Sequence, residues 1–135
     1  MGPSTQANGN SPDDRSFGIT LTILVAGKAV FSSELNRPLE LGRQRMEEAS
    51  PYAQIEMDDA DRVVIAELSE STISRRHVAL VPVSSHSVRV TNLSSVNTIW
   101  VDSSRPLETG ASCELEPPVV LTLGNVDRAI LLYPT

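Results

Sequence analysis

What most restricts this chain is a series of short bursts in which apolar residues recur at every second position. ITLTILV (19–25), AVFSSEL (29–35) and LEL (39–41) come first, then RVVIAEL (62–68), HVALVPV (77–83) and HSVRVTN (86–92). TIWV (98–101), SCEL (112–115), VVLTL (119–123) and AILLY (129–133) complete the series. A period of two places alternate side chains on opposite faces of a strand, and Val, Ile, Leu and Thr suit a half-buried pleated surface. Gly, Pro, Ser, Asn and Asp punctuate the bursts. Close spacing of this kind, without intervening helical periodicity, predicts an all-β fold, a sandwich or barrel rather than a parallel α/β sheet. One stretch breaks the rhythm. Gln44 to Asp61 is polar and acidic, with MEEAS able to form a helical turn at most, and reads as a long loop. Residues 1–16, MGPSTQANGNSPDDRS, hold too few apolar side chains to order themselves and read as a disordered leader or linker, leaving 17–135 as one domain.

Charge narrows the function. The chain has 11 basic and 17 acidic residues, a net charge of −6. Sequence-independent nucleic-acid binding requires many phosphates to be neutralised, and an anionic membrane surface requires a basic face, so both are disfavoured. No apolar run approaches the ~20 residues that span a bilayer, and no signal peptide is visible, so a cytoplasmic location is expected. The single cysteine, Cys113, allows no intrachain disulfide and reads as a small core residue.

Enzymatic chemistry finds little support. Ser74 and His77 lie three residues apart, but no acid is placed to orient the imidazole and no nucleophile-elbow glycines surround the serine. The acidic group Glu56, Asp58, Asp59 and Asp61 lacks the glycine and distal glutamate of a calcium loop, and reads as solvated. Two histidines and one cysteine make no zinc pattern, and no phosphate-cradling glycine loop is present. Neither a catalytic residue, a metal nor a cofactor is expected.

Three short segments instead suggest an anion site. Leu41-Gly42-Arg43 ends one predicted strand, Ile73-Ser74-Arg75-Arg76-His77 opens another, and Asn92-Leu93-Ser94-Ser95-Val96-Asn97 separates two more. Strand-end loops on a rigid scaffold are where binding residues collect. Arginine offers planar charge-assisted donors to phosphate oxygens, and serine and asparagine add short-range polar contacts.

Taken in this order, Gly-Arg, Ser-Arg-Arg-His and Asn-Leu-Ser-Ser-Val-Asn resemble the forkhead-associated (FHA) domain, over about residues 18–133. The resemblance implies a β-sandwich of about 10–11 mostly antiparallel strands that binds a phosphothreonine-containing protein segment in serine/threonine kinase signalling, as part of a larger protein. It implies that Arg43 and Ser74 contact the phosphate, with Arg75 as a further contact, and that Asn97 holds the peptide backbone. Gly42, His77 and Ser95 support the site, and Arg76 receives no role. The chain departs from the family at Val96, where a threonine is common, and at Thr98, where glycine is common; the 30 residues between Arg43 and Ser74 exceed the usual spacing. These departures support a second reading, a scaffold of the same fold that does not need phosphate. Residue by residue, simpler readings compete: Arg43 paired with Glu40 or Glu47, or with carboxylates of the acidic loop, Ser74 and Asn97 as turn residues, Trp100 in core or edge packing, His86 exposed in a turn.

Overall fold

The computed structural model of the chain describes residues 18–95, 97–123 and 127–135. Strands occupy β1 (Ile19–Val25), β2 (Lys28–Glu34), β3 (Leu39–Arg43), β4 (Ala53–Glu56), β5 (Asp61–Ala66) and β6 (Val78–Ser84). They continue through β7 (Ser87–Asn92), β8 (Ile99–Val101), β9 (Arg105–Leu107), β10 (Ser112–Leu115), β11 (Val119–Leu123) and β12 (Arg128–Pro134). No helix forms among the described residues. One sheet runs β2-β1-β12-β11-β8-β9 and the other β10-β7-β6-β3-β5-β4. Every ladder is antiparallel except β3–β5, which is parallel. The expected all-β sandwich is present, with two strands beyond the ten bursts.

The alternation in sequence becomes the division between core and surface. Leu21, Ile23, Ile99, Leu121, Leu123, Ile130 and Leu132 point inward from the first sheet; Leu41, Val63, Ile65, Val78, Leu80, Val88 and Val90 meet them from the second. Trp100 lies between two buried neighbours, Ile99 and Val101, and therefore faces outward. It is 41% exposed and lines a shallow surface pocket with Ser103 and Thr122, so the core or edge packing expected of it does not hold. Cys113 packs partly buried against the core, and burial pushes its thiol pKa up. His86 sits exposed in the β6–β7 turn, as its sequence position suggests. The leader and Val96 lie outside the described residues.

The acidic segment corrects the sequence reading. It is not one long loop, because β4 pairs antiparallel with β5 from Ala53↔Val64 to Glu56↔Asp61. Ahead of β4, residues 45–48 form a turn in which the Glu48 amide donates to the Arg45 carbonyl. This segment lies against β5, where Arg62, Val63, Val64, Ile65 and Ala66 are all buried. A strand buried at consecutive positions is covered on both faces. Asp61 and Glu56 face Arg37, at 3.5 and 4.0 Å, rather than standing as unpaired loop charges.

Because Leu121 is wholly buried in the centre of β11 while Thr122 faces outward, the two positions separate core from surface energetics. Leu121→Ala is expected to lower unfolding free energy by about 2–5 kcal/mol, and Thr122→Ala by no more than about 0.5 kcal/mol. Urea midpoints at constant m-value measure both.

Candidate functional site

The three sequence segments meet at one end of the sandwich. The Arg43 amide donates to the Ser74 carbonyl at 2.9 Å, joining the end of β3 to the turn before β6. Glycine at 42 is what permits this approach. A Cβ on Gly42 would overlap the Arg75 carbonyl oxygen and lie 2.6 Å from its carbon, a contact with main chain that no rotamer change relieves. Gly42 is therefore a spacing residue for the Arg43 and Arg75 backbones.

His77 stitches the same region together. It is fully buried; its amide donates to the Leu41 carbonyl, and its own carbonyl accepts from the amides of Leu93 and Ser94. Its Nδ1 accepts the Ser74 amide at 2.9 Å. An accepting Nδ1 requires the neutral tautomer with the proton on Nε2. Burial agrees, pushing the imidazole pKa down to about 4. It is the main-chain N–H of Ser74 that His77 engages, a link that holds the turn and activates no nucleophile.

The third segment is anchored from below by Asn92, at the end of β7. Its buried amide donates to the carbonyls of Asn97 at 2.8 Å and Leu107 at 2.9 Å, while its Oδ1 accepts the Ser94 amide. Ser94 Oγ accepts the Asn97 amide at 2.9 Å. Asn97 then donates its side-chain amide to the Thr72 carbonyl at 2.7 Å, bridging this loop to the Ser74 turn. Asn97 is thus placed beside the Ser74 turn, with one amide donor already engaged. Ser95 is exposed on the same loop. Thr98 donates its hydroxyl to Glu108 at 2.9 Å and is not among the residues with positive φ, so the backbone does not demand glycine there.

Beneath all of this is Arg62, 1% exposed, on the face of β5 away from the core. Its Nε donates to Glu48 Oε2 at 2.7 Å. Nη1 donates to Glu40 Oε2 at 2.8 Å and to the Arg75 carbonyl at 2.9 Å. Nη2 donates to the Arg43 carbonyl at 2.7 Å and to Glu48 Oε1 at 3.0 Å. All five donors of the guanidinium are engaged, two of them by the carbonyls of Arg43 and Arg75. The Arg62 bonds hold the Glu48 carboxyl below its ordinary pKa, against the opposing pull of burial. By sequence Arg62 belongs to an ordinary strand, and the acidic segment offers carboxylates that could pair with Arg43. Its carboxylate Glu48 instead turns inward to Arg62.

What this framework leaves without a carboxylate partner is two arginines. The simpler reading of Arg43, an ion pair with Glu40 or Glu47, does not hold: Glu40 is engaged by Arg45, Arg62 and Arg76. Arg43 has no ion pair among the described residues, and its buried Nε has no hydrogen-bond partner there. A buried donor without a partner is uncommon, and doubly so on a cation. Arg75 is exposed and also without an ion pair among the described residues. Of the residues singled out from sequence, Gly42, Arg43, Ser74, Arg75, His77 and Asn97 are brought together by these bonds. Asn92, Arg62 and Glu48 were missed.

Two outcomes follow from this framework. Arg62→Met strands Glu48 and two carbonyls and is expected to cost about 3–5 kcal/mol by urea unfolding, with Arg62→Lys recovering only part. For His77, the folded state stays neutral down to a pKa of about 4, whereas the unfolded chain takes up a proton near 6.5. The unfolded state therefore binds more protons in this window. Stability is complete above about pH 6.5 and declines as pH falls toward 4, by on the order of 3 kcal/mol. His77→Asn, which can still accept the Ser74 amide, is expected to flatten that slope. Glu48 adds a separate loss below its ordinary value of 4.5, as acidification approaches its depressed folded pKa. Thermal melts from pH 3 to 8 resolve the two windows.

The architecture has counterparts. The profile of the FHA domain family matches residues 41–124. Among solved structures, the FHA domain of the CT664 protein from Chlamydia trachomatis aligns at 21% identity and a TM-score of 0.60, over 87% of this chain and 97% of that one. The MEK1 FHA domain aligns at 15% identity and a TM-score of 0.63, over 88% and 91%. An engineered FHA domain with a Myc-pTBD peptide aligns at 9% identity and a TM-score of 0.58, over 90% and 94%. No curated protein sequence matches the chain. With the family profile covering more than half its length, from the last residues of β3 beyond the end of β11, the chain belongs to the FHA domain family.

Proposed function

We propose that this domain binds a phosphothreonine-containing segment of another protein, downstream of a serine/threonine kinase, and turns over no substrate itself. FHA domains in general are phosphopeptide-binding interaction modules. The observation that carries the reading for this chain is Arg43. In a chain with six more acidic than basic side chains, its guanidinium has no carboxylate partner among the described residues, and its Nε is buried without an acceptor. A phosphate carries about −1.5 to −2 charges near neutral pH and three acceptor oxygens, which is the complement of Arg43, Arg75 and the Ser74 hydroxyl. Asn97, tied to the Ser74 turn through its side-chain amide, is assigned to the peptide main chain. Gly42, His77 and Ser95 belong to the support of the site.

A second reading, a scaffold of the same fold that ignores phosphate, has an observation of its own. Thr98 is bonded to Glu108, which sets a carboxylate beside the Asn97 loop where an anionic ligand would be repelled. One titration separates the two. Fluorescence anisotropy with matched phosphothreonine and unphosphorylated peptides is expected to show binding of the phosphorylated form alone. Arg43→Ala should weaken it about 10- to 150-fold, the equivalent of a charge-assisted hydrogen bond of about 1.5–3 kcal/mol. Equal affinity for the two peptides would establish the scaffold instead.

A further inference from the structure

The outer face of the first sheet differs from the rest of the surface. Strand register aligns its outward residues in rows. Pro106 pairs with Trp100, Trp100 with Thr122, Thr122 with Ala129, and Ala129 with Leu24. The adjoining row runs Val120, Leu131, Thr22 and Ser32. Among the described residues, no charged side chain projects from this face on β9, β8, β11, β12 or β1. The charges that these strands do carry point the other way. Arg128 donates to the Ile65 carbonyl of the opposite sheet, and Arg105 shares its side of β9 with the buried Leu107. Glu34, opposite Thr20, and Asp102, bonded to the Val120 amide, stand at the margins of the face.

The solvated face of an antiparallel sheet is ordinarily polar. The second sheet follows that rule, with Arg89 and Glu114 paired at 3.2 Å on its outside. On the first sheet many of the polar atoms are hydroxyls, and several are bonded to one another. Thr22 Oγ1 lies 3.0 Å from Ser32 Oγ and 3.2 Å from the Tyr133 hydroxyl, and Thr20 Oγ1 lies 2.7 Å from Thr135 Oγ1. Hydroxyls satisfied within the sheet keep those bonds when water is excluded. Depletion of charge together with an exposed Trp100 is the composition of an interface core.

The charge of the chain indicates which partner this face suits. With six more acidic than basic side chains, two copies repel one another over most approaches. They meet without opposed carboxylates where neither copy carries a charge. A two-fold pair also requires a patch complementary to itself. An axis lying along the strands between β11 and β12 sets Trp100 of one copy over Leu24 of the other and Pro106 over Ala29, bulky side chains over smaller ones. By strand length and spacing the face covers roughly 500 Å² in projection, and its rougher accessible surface approaches the ~800 Å² per partner of a standard interface.

We propose that this chain forms a two-fold dimer through the outer face of its first sheet, with the two sheets packed about 10 Å apart. Arg43, Ser74 and Arg75 belong to the second sheet and its turns, so the pairing leaves them uncovered. Dimerisation does not require the phosphopeptide reading to hold.

Sedimentation equilibrium of the whole chain from about 1 to about 500 µM reads the assembly state. The average mass is expected to climb from one chain toward two and stop there, because a closed two-fold pair leaves no such face for a third copy. Trp100→Glu puts a carboxylate into the contact on both copies and should weaken dimerisation about 30-fold or more. Ala129→Glu, on a different strand, should act the same way, while Arg89→Ala on the second sheet should leave the mass curve unchanged. All three positions are at least partly exposed, and a thermal melt of each variant at low concentration verifies that it is folded. A chain that stays monomeric over the whole range overturns the dimer and assigns the face to a partner of different sequence. A dimer that survives both glutamate variants overturns it too, since its interface must then lie elsewhere, and a mass that climbs past two chains excludes the closed pair.

Discussion

The burial of one guanidinium sets the terms for everything at this end of the sandwich. Moving an arginine out of water costs several kcal/mol, recovered only when every donor is satisfied with good geometry. Arg62 meets that condition by drawing on three separate pieces of chain: Glu40 and the Arg43 carbonyl from β3, Glu48 from the turn that follows it, and the Arg75 carbonyl from the turn before β6. None of these acceptors is close to Arg62 in sequence. Their convergence is specified by a charge that cannot be left unpaired, and Gly42 supplies the clearance that lets the Arg43 and Arg75 backbones come within reach of a single side chain. Leucine at 62 would satisfy the alternation of neighbouring strands and would hold none of these loops.

This explains which parts were legible in the sequence. Strands with one face in the core declare themselves by period two, and ITLTILV, SCEL and VVLTL are strands at the very residues where the alternation runs. β4 and β9 gave no such signal. AQIE is a four-residue strand at the edge of its sheet, with alternate positions exposed and none buried. Arg-Pro-Leu is a three-residue edge strand with a single buried side chain. Pairing at a sheet edge is driven by main-chain hydrogen bonds, which leave little trace in side-chain pattern. Trp100 was legible by its alternation with Ile99 and Val101, but a large aromatic biased the assignment inward where parity placed it outward.

The site divides along the same line. Residues suited to hold an anion carry a chemical signature, so Arg43, Ser74 and Arg75 stand out by residue type and order. Residues that shape the site do so through long-range hydrogen bonds to main chain, which no local motif encodes. Asn92 reads as the polar end of a strand, yet its amide fixes two points of the loop that presents Asn97 and ties them to Leu107 of β9. Glu48 reads as one acid among many in a solvated stretch, yet two of its oxygen contacts fall on Arg62 and a third on the Arg45 amide. The signal that was present is Arg62 itself, a cation directly ahead of the apolar run Val63–Ala66, which calls for an acid elsewhere in the chain if it is buried.

The distribution of constraint also bears on how a phosphate would be held. The backbones of Arg43, Ser74 and Arg75 are tied down by bonds that exist without any ligand, so an anion orders side chains and not loops. Ordering a long side chain costs up to about 2 kcal/mol, and the two arginines differ in how much of that remains. Arg43 is half-buried with its Nε enclosed, so much of its rotamer freedom is already spent. Arg75 is exposed and gives up its freedom only on contact. Equal charges on neighbouring loops therefore make unequal contributions: Arg43 offers a donor that is costly to leave unpaired and cheap to orient, while Arg75 gains less per bond and adapts more readily to the peptide. An acidic chain can carry such a site because Glu40 and Glu48 are engaged by Arg62, which leaves Arg43 without an acidic partner among the described residues.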